Sequence, residues 1–238
     1  VAAFDTETAN GTLNPSGRGL VYLSDGLYTC LWNGSAWEYY HAGLKLRRPF
    51  LADFTGVNTA GATATGASSG IYLRSNNPGD KVENYHLWVR STPAAPYTVT
   101  LIATLHFGGV DYNQLGLVLR ESSTGKFLGI SIMNSSTTGM SRRFGKYTSA
   151  TAISGDYVND SGDNARQQRF ALDKLYLRAT VDATSVSVYW SHDGLNWDLF
   201  GGPTVKTDFL ASGPNQFGIY ISGGIRYTYA HILECSAV

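Results

Sequence analysis

Acid–base chemistry needs carboxyl groups brought close together, and metal chemistry needs His, Cys, Asp or Glu at coordinating spacings. Glu38, Glu83, Glu121 and Glu234 each stand alone in this chain, and Glu121 is followed directly by a Ser-Ser-Thr-Gly turn. His41, His86, His106, His192 and His231 are scattered, with no two at a His-x-x-x-His spacing. There is no Gly-x-Ser-x-Gly elbow to present a nucleophile and no Gly-x-x-x-x-Gly-Lys phosphate loop. The stretch Gly66 to Gly70 is rich in Gly and Ser but carries no Lys and precedes no helix. The chain is therefore expected not to be an enzyme.

Two kinds of binding chemistry remain. Asp156, Asn159, Asp160, Asp163 and Asn164 cluster in one polar stretch, and oxygen-bearing side chains of this type supply the six to eight ligands of Ca²⁺. The spacing is not that of an EF-hand, so calcium (candidates Asp156, Asp160 and Asp163) stands against a simple solvated loop, and no cofactor is required. Asp111 and Asn113 form a second, weaker pair. Sugar recognition needs flat aromatic faces for the C–H side of a pyranose and planar polar groups for its hydroxyls. Arg120, Tyr176, Arg178, Tyr189 and Tyr220 alternate with Leu119, Leu175, Leu177, Val188 and Ile219, so the first set is expected to face solvent and the second the core. Trp190, His192, Asp193, Asn196 and Trp197 add aromatic and polar groups in a neighbouring loop. The competing reading is that Trp190 and Trp197 pin a hairpin by packing, and that the tyrosines are buried between subunits.

The elements that must position these groups read almost entirely as strands. Leu175 to Asp182 alternates apolar and polar residues with period two, a polar turn follows, and Val186 to Trp190 alternates again. Asp193-Gly194 then marks a turn ending on Trp197. Further strands are expected at Ile71 to Arg74, Tyr85 to Arg90, Tyr97 to Phe107, Leu115 to Arg120, Lys126 to Met133, Gln216 to Ile221 and Tyr227 to Cys235, with two short ones within Phe144 to Ile153. Loops are expected at Thr55 to Gly70, Asn76 to Asp80 and Asp156 to Arg166, and the best helix candidate is a turn at Asp208 to Ala211. Many short strands at this spacing make an all-β sandwich over residues 44–238. Residues 1–43 differ: a polar start, then short runs at Gly19 to Leu23, Leu27 to Trp32 and Ala36 to Tyr40 separated by Ser-Asp-Gly and Asn-Gly-Ser turns. That three-stranded meander gathers Tyr22, Tyr28, Trp32, Trp37 and Tyr39. It is too small to hold a core alone, so an attachment or oligomerisation role is expected.

Bulk properties exclude several partners. The 238 residues carry 18 basic and 18 acidic groups, and no basic run exceeds a pair such as Arg47-Arg48 or Arg142-Arg143, which disfavours nucleic acid and anionic membranes. No stretch approaches the roughly 20 apolar residues of a membrane-spanning helix. No signal-peptide pattern is present, and because the chain opens at Val1 a removed leader or a longer parent protein stays open. Cys30 and Cys235 read as two partly buried thiols, with a disulfide between them left open.

Residues 46 to 236 resemble concanavalin A-like (laminin G-like) jelly-roll domains. The resemblance rests on Gly116 to Arg120 followed by Lys126 to Ile130, on the Trp-Ser-x-Asp-Gly-x-Asn-Trp string at 190–197, and on Phe217 to Tyr220. The Glu-x-Asp-x-x-Glu string of jelly-roll glucanases is missing, as is the Asp/Asn metal spacing of legume lectins. The meander is similar to small units of bacteriophage tail and tail-fibre proteins. Together these resemblances imply a virion protein of the tail-fibre or spike class, located in the phage tail. It would bind a host-surface glycan and other virion proteins, as a homo-oligomer for which a trimer is the expectation. The alternatives are a carbohydrate-binding accessory domain of a secreted, extracellular glycosidase, and a purely structural decoration or assembly protein.

Overall fold

A computed structural model describes residues 48–67, 69–75, 83–108, 112–135, 139–160, 174–223 and 227–238, together with the backbone of four strands nearer the start. Those four, β1 (Leu20–Tyr22), β2 (Thr29–Trp32), β3 (Trp37–His41) and β4 (Leu44–Leu46), form an antiparallel sheet in the order β1-β2-β3-β4. The meander thus gains a fourth strand and reaches beyond residue 43. Its expected aromatic cluster and the side chain of Cys30 lie outside the described residues, as do Asp111, Asp163, Asn164 and the Asn76 to Asp80 turn.

The rest is a sandwich of two seven-stranded antiparallel sheets. Its strands are β5 (Thr55–Val57), β6 (Ala62–Ala67), β7 (Gly70–Ser75), β8 (His86–Ser91), β9 (Tyr97–Phe107), β10 (Asn113–Arg120), β11 (Phe127–Ser135), β12 (Gly139–Ser149), β13 (Ala152–Asn159), β14 (Leu175–Val181), β15 (Ser185–Ser191), β16 (Asp198–Val205), β17 (Gln216–Ser222) and β18 (Thr228–Ala237). The first sheet runs β13-β12-β11-β10-β17-β8-β5 and the second β16-β15-β14-β9-β18-β7-β6. Both inner faces are filled by the apolar half of each alternation. Leu115, Leu117, Leu119, Ile130, Phe144 and Ile219 come from the first sheet, and Ile71, Leu101, Leu175, Leu177, Val186 and Val188 from the second. Leu119, Leu175, Leu177, Val188 and Ile219, all expected in the core, are there.

Four local readings change. Thr55 to Gly70 is not a loop: β5 closes the edge of the first sheet on β8, and β6 closes the second on β7. The Ala-Thr-Ala-Thr alternation of β6 puts Ala62 and Ala64 against the core and leaves Thr63 and Thr65 outward. Asp208 to Ala211 is a turn, and the described helix is instead a 3-10 turn at Leu51–Asp53. Phe144 to Ile153 lies within two long paired strands, β12 and β13, and Asp156 to Asn159 belongs to β13 rather than to a loop. Finally, the Asp193-Gly194 turn leads into an edge strand, β16, which sequence reading missed. It holds Pro203, a residue tolerated at sheet edges because no partner needs its missing N–H.

Candidate functional site

The residues expected to bind ligand divide among three places. Tyr220 faces outward from the first sheet but is fully buried, packed with Tyr85, Phe127 and Tyr147 in a second apolar cluster on that face. Across the strand pair it meets Gly116, and its ring reaches Gly129. Without side chains at those positions the tyrosine lies down on the sheet instead of standing in water. Burial pushes its phenol up to about 12, so it stays neutral. Arg120, on the same face, donates from Nη1 to Gln216 Oε1 at 2.6 Å across the β10–β17 pair. Trp190 belongs to the core: it shares the inner row of Val186 and Val188 and is 3% exposed. The Arg142 guanidinium caps its indole at 4.6 Å and lies 5.1 Å from Phe200. His192 is exposed and sets its ring edge-on to Trp190 at 4.1 Å. For Trp190 the packing reading is the correct one.

Only Tyr176, Arg178, Tyr189 and Trp197 come together, on the outer face of the second sheet, and Tyr176 is buried there. The Arg178 guanidinium stacks 3.7 Å from the centre of the Trp197 indole. Burial lowers the Arg178 pKa, opposed by the negative Glu234 nearby on β18, whose Oε1 accepts from Ser236 Oγ at 2.6 Å. The loop that carries Trp197 is organised by Asp193. Its Oδ1 accepts the backbone N–H groups of Leu195 and Asn196 at 2.8 Å each and the Ser191 hydroxyl at 2.9 Å. These bonds, those to Asn196 foremost, hold the carboxyl far below the usual aspartate range. Asp193 is thus occupied in shaping the turn.

The two described calcium candidates, Asp156 and Asp160, are engaged otherwise. Asp156 pairs with Arg143 (Nε to Oδ1, 2.7 Å) and accepts from Asn159, while Asp160 takes the Arg142 backbone N–H at 2.6 Å and its Nε at 2.8 Å. Each carboxylate is neutralised by its own arginine, which removes the charge a hard cation would need. No group of three or more His, Cys, Asp or Glu side chains able to hold a metal occurs among the described residues. Cys235 is a free, buried thiol.

The most open chemistry lies on the same outer face, on strands whose outward residues the sequence reading passed over. A groove of about 410 Å³ is floored by β6, β7, β18 and β9. One row across it reads Thr65, Tyr72, His231, Thr104; the next reads Thr63, Arg74, Tyr229, His106. Tyr72 is 47% exposed and stacks on His231 with ring centres 4.1 Å apart and 11° between planes. The His231 ring is oriented by its Nε2–H, which donates to the Ser69 carbonyl at 3.1 Å. Tyr229 is 39% exposed. Arg74 is cradled by two rings, its guanidinium 4.5 Å from the centre of Tyr227 and 5.5 Å from that of Tyr229. Exposed flat rings beside threonine hydroxyls and a fixed guanidinium are the combination a polyhydroxylated ring would need. The signal was present: Tyr72 and Arg74 alternate with Ile71 and Leu73, and Tyr229 and His231 with Ala230 and Ile232.

No protein-family model matches the chain, and no curated protein matches its sequence. Solved structures match it in shape. A functionally unknown protein from Saccharomyces cerevisiae is 15% identical, with a TM-score of 0.58 over 80% of this chain and 98% of that one. The GH43 protein BlXynB from Bacillus licheniformis is 13% identical with a TM-score of 0.54. That match takes in 92% of this chain but only 45% of the other, so this chain spans less than half of that protein. A legume lectin-like domain from Entamoeba histolytica is 10% identical, with a TM-score of 0.50 over 79% of this chain and 90% of that one. At such identities the likeness is one of fold: the sandwich is a legume-lectin-like jelly roll, as the sequence resemblance implied.

Proposed function

We propose that this protein is a non-enzymatic carbohydrate-binding module that recognises glycans through the outer face of its second sheet. The observation that carries the reading is the exposed groove in which Tyr72 and Tyr229 stand beside Arg74, His106 and three threonines. The legume lectin-like fold supports it, though a fold hosts many activities and the site must bear the weight. A non-catalytic role is supported by the engagement of the described glutamates. Glu83 accepts the Ile153 N–H, Glu121 accepts from Thr124 and the Ser212 N–H, and Glu234 accepts from Ser236.

The finer reading is a bacteriophage tail-fibre or spike protein. The sandwich would contact a host-surface polysaccharide, and the N-terminal meander would join it to other virion proteins or to two sister copies. Its support is the resemblance of the Gly19 to Trp37 segment to tail-fibre units, combined with the sandwich that follows. Several weak sites on one oligomer would then give useful avidity. The native protein on a glycan array is expected to retain saccharides, and Tyr229→Ala is expected to release them without lowering the melting temperature. Failure of the native oligomer to retain any saccharide would leave a purely structural protein. The tail assignment is tested by the flanking genes: neighbours encoding tail components support it, and a glycosidase domain in the same reading frame replaces it with the accessory-domain alternative.

A further inference from the structure

The groove on the second sheet is electrostatically one-sided. Its described lining contains one arginine and two histidines and no carboxylate. Arg74 takes part in no ion pair among the described residues, and its Nε is buried without a hydrogen-bond partner. On the same face Arg178, whose Nε is likewise buried without a partner, differs in having the negative Glu234 nearby. The chain as a whole carries no net charge, so this imbalance is local to the groove.

With no carboxylate in the lining, the positive charge of Arg74 is left for an anion in the groove, and a guanidinium binds a carboxylate by charge-assisted hydrogen bonds. Arg74 is also held in place. Tyr227 and Tyr229 fix the plane of the guanidinium by cation–π contact, and its Nη groups supply the N–H donors that pair with a carboxylate. The rings that orient Arg74 are partly exposed, so a sugar ring carrying that carboxylate can lie against them. Arg74 is flanked across the strand pairs by Thr63 on one side and Tyr229 on the other, with His106 beyond Tyr229.

We infer that the groove selects acidic saccharides, that is, sugars bearing a carboxylate such as uronic or sialic acid units, with Arg74 as the carboxylate-binding residue. This rests on the carbohydrate-binding reading above and narrows it to a ligand class. The test uses the purified full chain on an array of oligosaccharides containing galacturonate, glucuronate, mannuronate or sialate, each printed beside its methyl ester. Titration calorimetry then follows on whichever acid and ester pair is retained.

The acid is expected to bind at least about tenfold more tightly than its ester, the yield of one charge-assisted hydrogen-bond pair. Arg74→Gln is expected to erase that difference. Thr63→Glu, an exposed edge-strand change that leaves Arg74 in place but sets a carboxylate beside it, is expected to do the same. This second variant and the acid-versus-ester comparison on the parent protein decide the matter even if Arg74→Gln fails to fold. Equal affinity for acid and ester, or an acid preference that survives both substitutions, would overturn the acidic class. If neutral sugars are retained and Tyr229→Ala releases them, the carbohydrate reading stands while this inference falls. If no saccharide of either kind is retained, both fall.

Discussion

Replacing Trp190 by Ala probes how the open edge of the sandwich is closed. The indole lies between the sheets in line with Val186 and Val188, and Arg142 from β12 caps it while pairing with Asp160. Removing a buried tryptophan costs about 3–5 kcal/mol through lost transfer energy and the cavity left behind. The guanidinium also loses its aromatic platform, about 0.5–2 kcal/mol more for a partly desolvated pair. For a domain of this size each kcal/mol shifts the midpoint by roughly 2–4 °C, so a fall of roughly 10–20 °C is expected in a thermal melt followed by near-ultraviolet circular dichroism. Trp197→Ala is the internal comparison. That ring is half-buried, lies outside the core and stacks on Arg178, so its removal is expected to cost only about 1–2 kcal/mol. Equal losses for the two tryptophans, or a Trp190→Ala midpoint within a few degrees of the parent, would refute the reasoning. It would mean that β15 is displaced by one residue, which would turn Tyr189 and Ser191 into the core and Trp190 out of it.

Three further outcomes are expected. Gly129→Val would place a Cβ 2.8 Å from Tyr147 Cε2 and 2.9 Å from the Tyr220 hydroxyl, so the buried tyrosine layer must shift; a loss of about 1–3 kcal/mol in urea unfolding is expected, and an unchanged midpoint would mean the rings do not lie on the sheet. The Asp193 carboxyl has its pKa lowered from an ordinary 3.8, so its contribution is present above that value and fades as pH falls below it. Protection of the Leu195 and Asn196 amides, taken relative to intrinsic exchange, should therefore be lost only in acid and be kept near neutrality, and an Asp193 carbon resonance titrating at the ordinary value would contradict this. Burial pushes the Cys235 thiol up, so in a Cys30→Ser background it should react with a thiol reagent only at the rate of unfolding, and immediate labelling would place it at the surface.

Much of the sandwich was legible because period-two alternation reports burial directly. The strands from Ile71, Tyr97, Leu115, Leu175 and Gln216 appear where their apolar rows begin. Edge strands were harder. β5 is three residues long and β6 is built from Ala and Thr, so neither buries enough apolar surface to mark itself. Composition alone made Thr55 to Gly70 a loop, yet two of its threonines line the groove. Asp156 on β13 and Asp160 just beyond it were read as calcium candidates or a solvated loop, because nothing local shows that Arg142 and Arg143, more than ten residues earlier, lie alongside them on the neighbouring strand.

Alternation assigns a residue to a face but does not say whether that face stays open, and this is why Tyr220 was expected at the surface while Tyr72 and Tyr229 were overlooked. Both sets follow the same rule. What separates them is the neighbour across the strand pair. Tyr220 stands opposite Gly116, Gly129 pairs with Gly145, and the rings of Tyr220 and Tyr147 settle over the bare backbone they leave. Tyr72 stands between Thr65 and His231, and Tyr229 between Arg74 and His106, so their rings are propped upright and remain in contact with solvent. The choice between a sealed face and a receptive one therefore lies in the register, a long-range property. Strands β10 and β17 that bring Gly116 against Tyr220 are separated by about half the described sandwich. A test follows from the geometry itself. Filling Gly116 is blocked by the Ile130 carbonyl, but at Gly129 and Gly145 the obstructing atoms are tyrosine rings alone. Gly145→Ser should therefore lift Tyr147 toward solvent and raise its accessibility to iodination, with a smaller stability loss than Gly116→Ser. If both substitutions unfold the protein equally, the tyrosines are not resting on glycine.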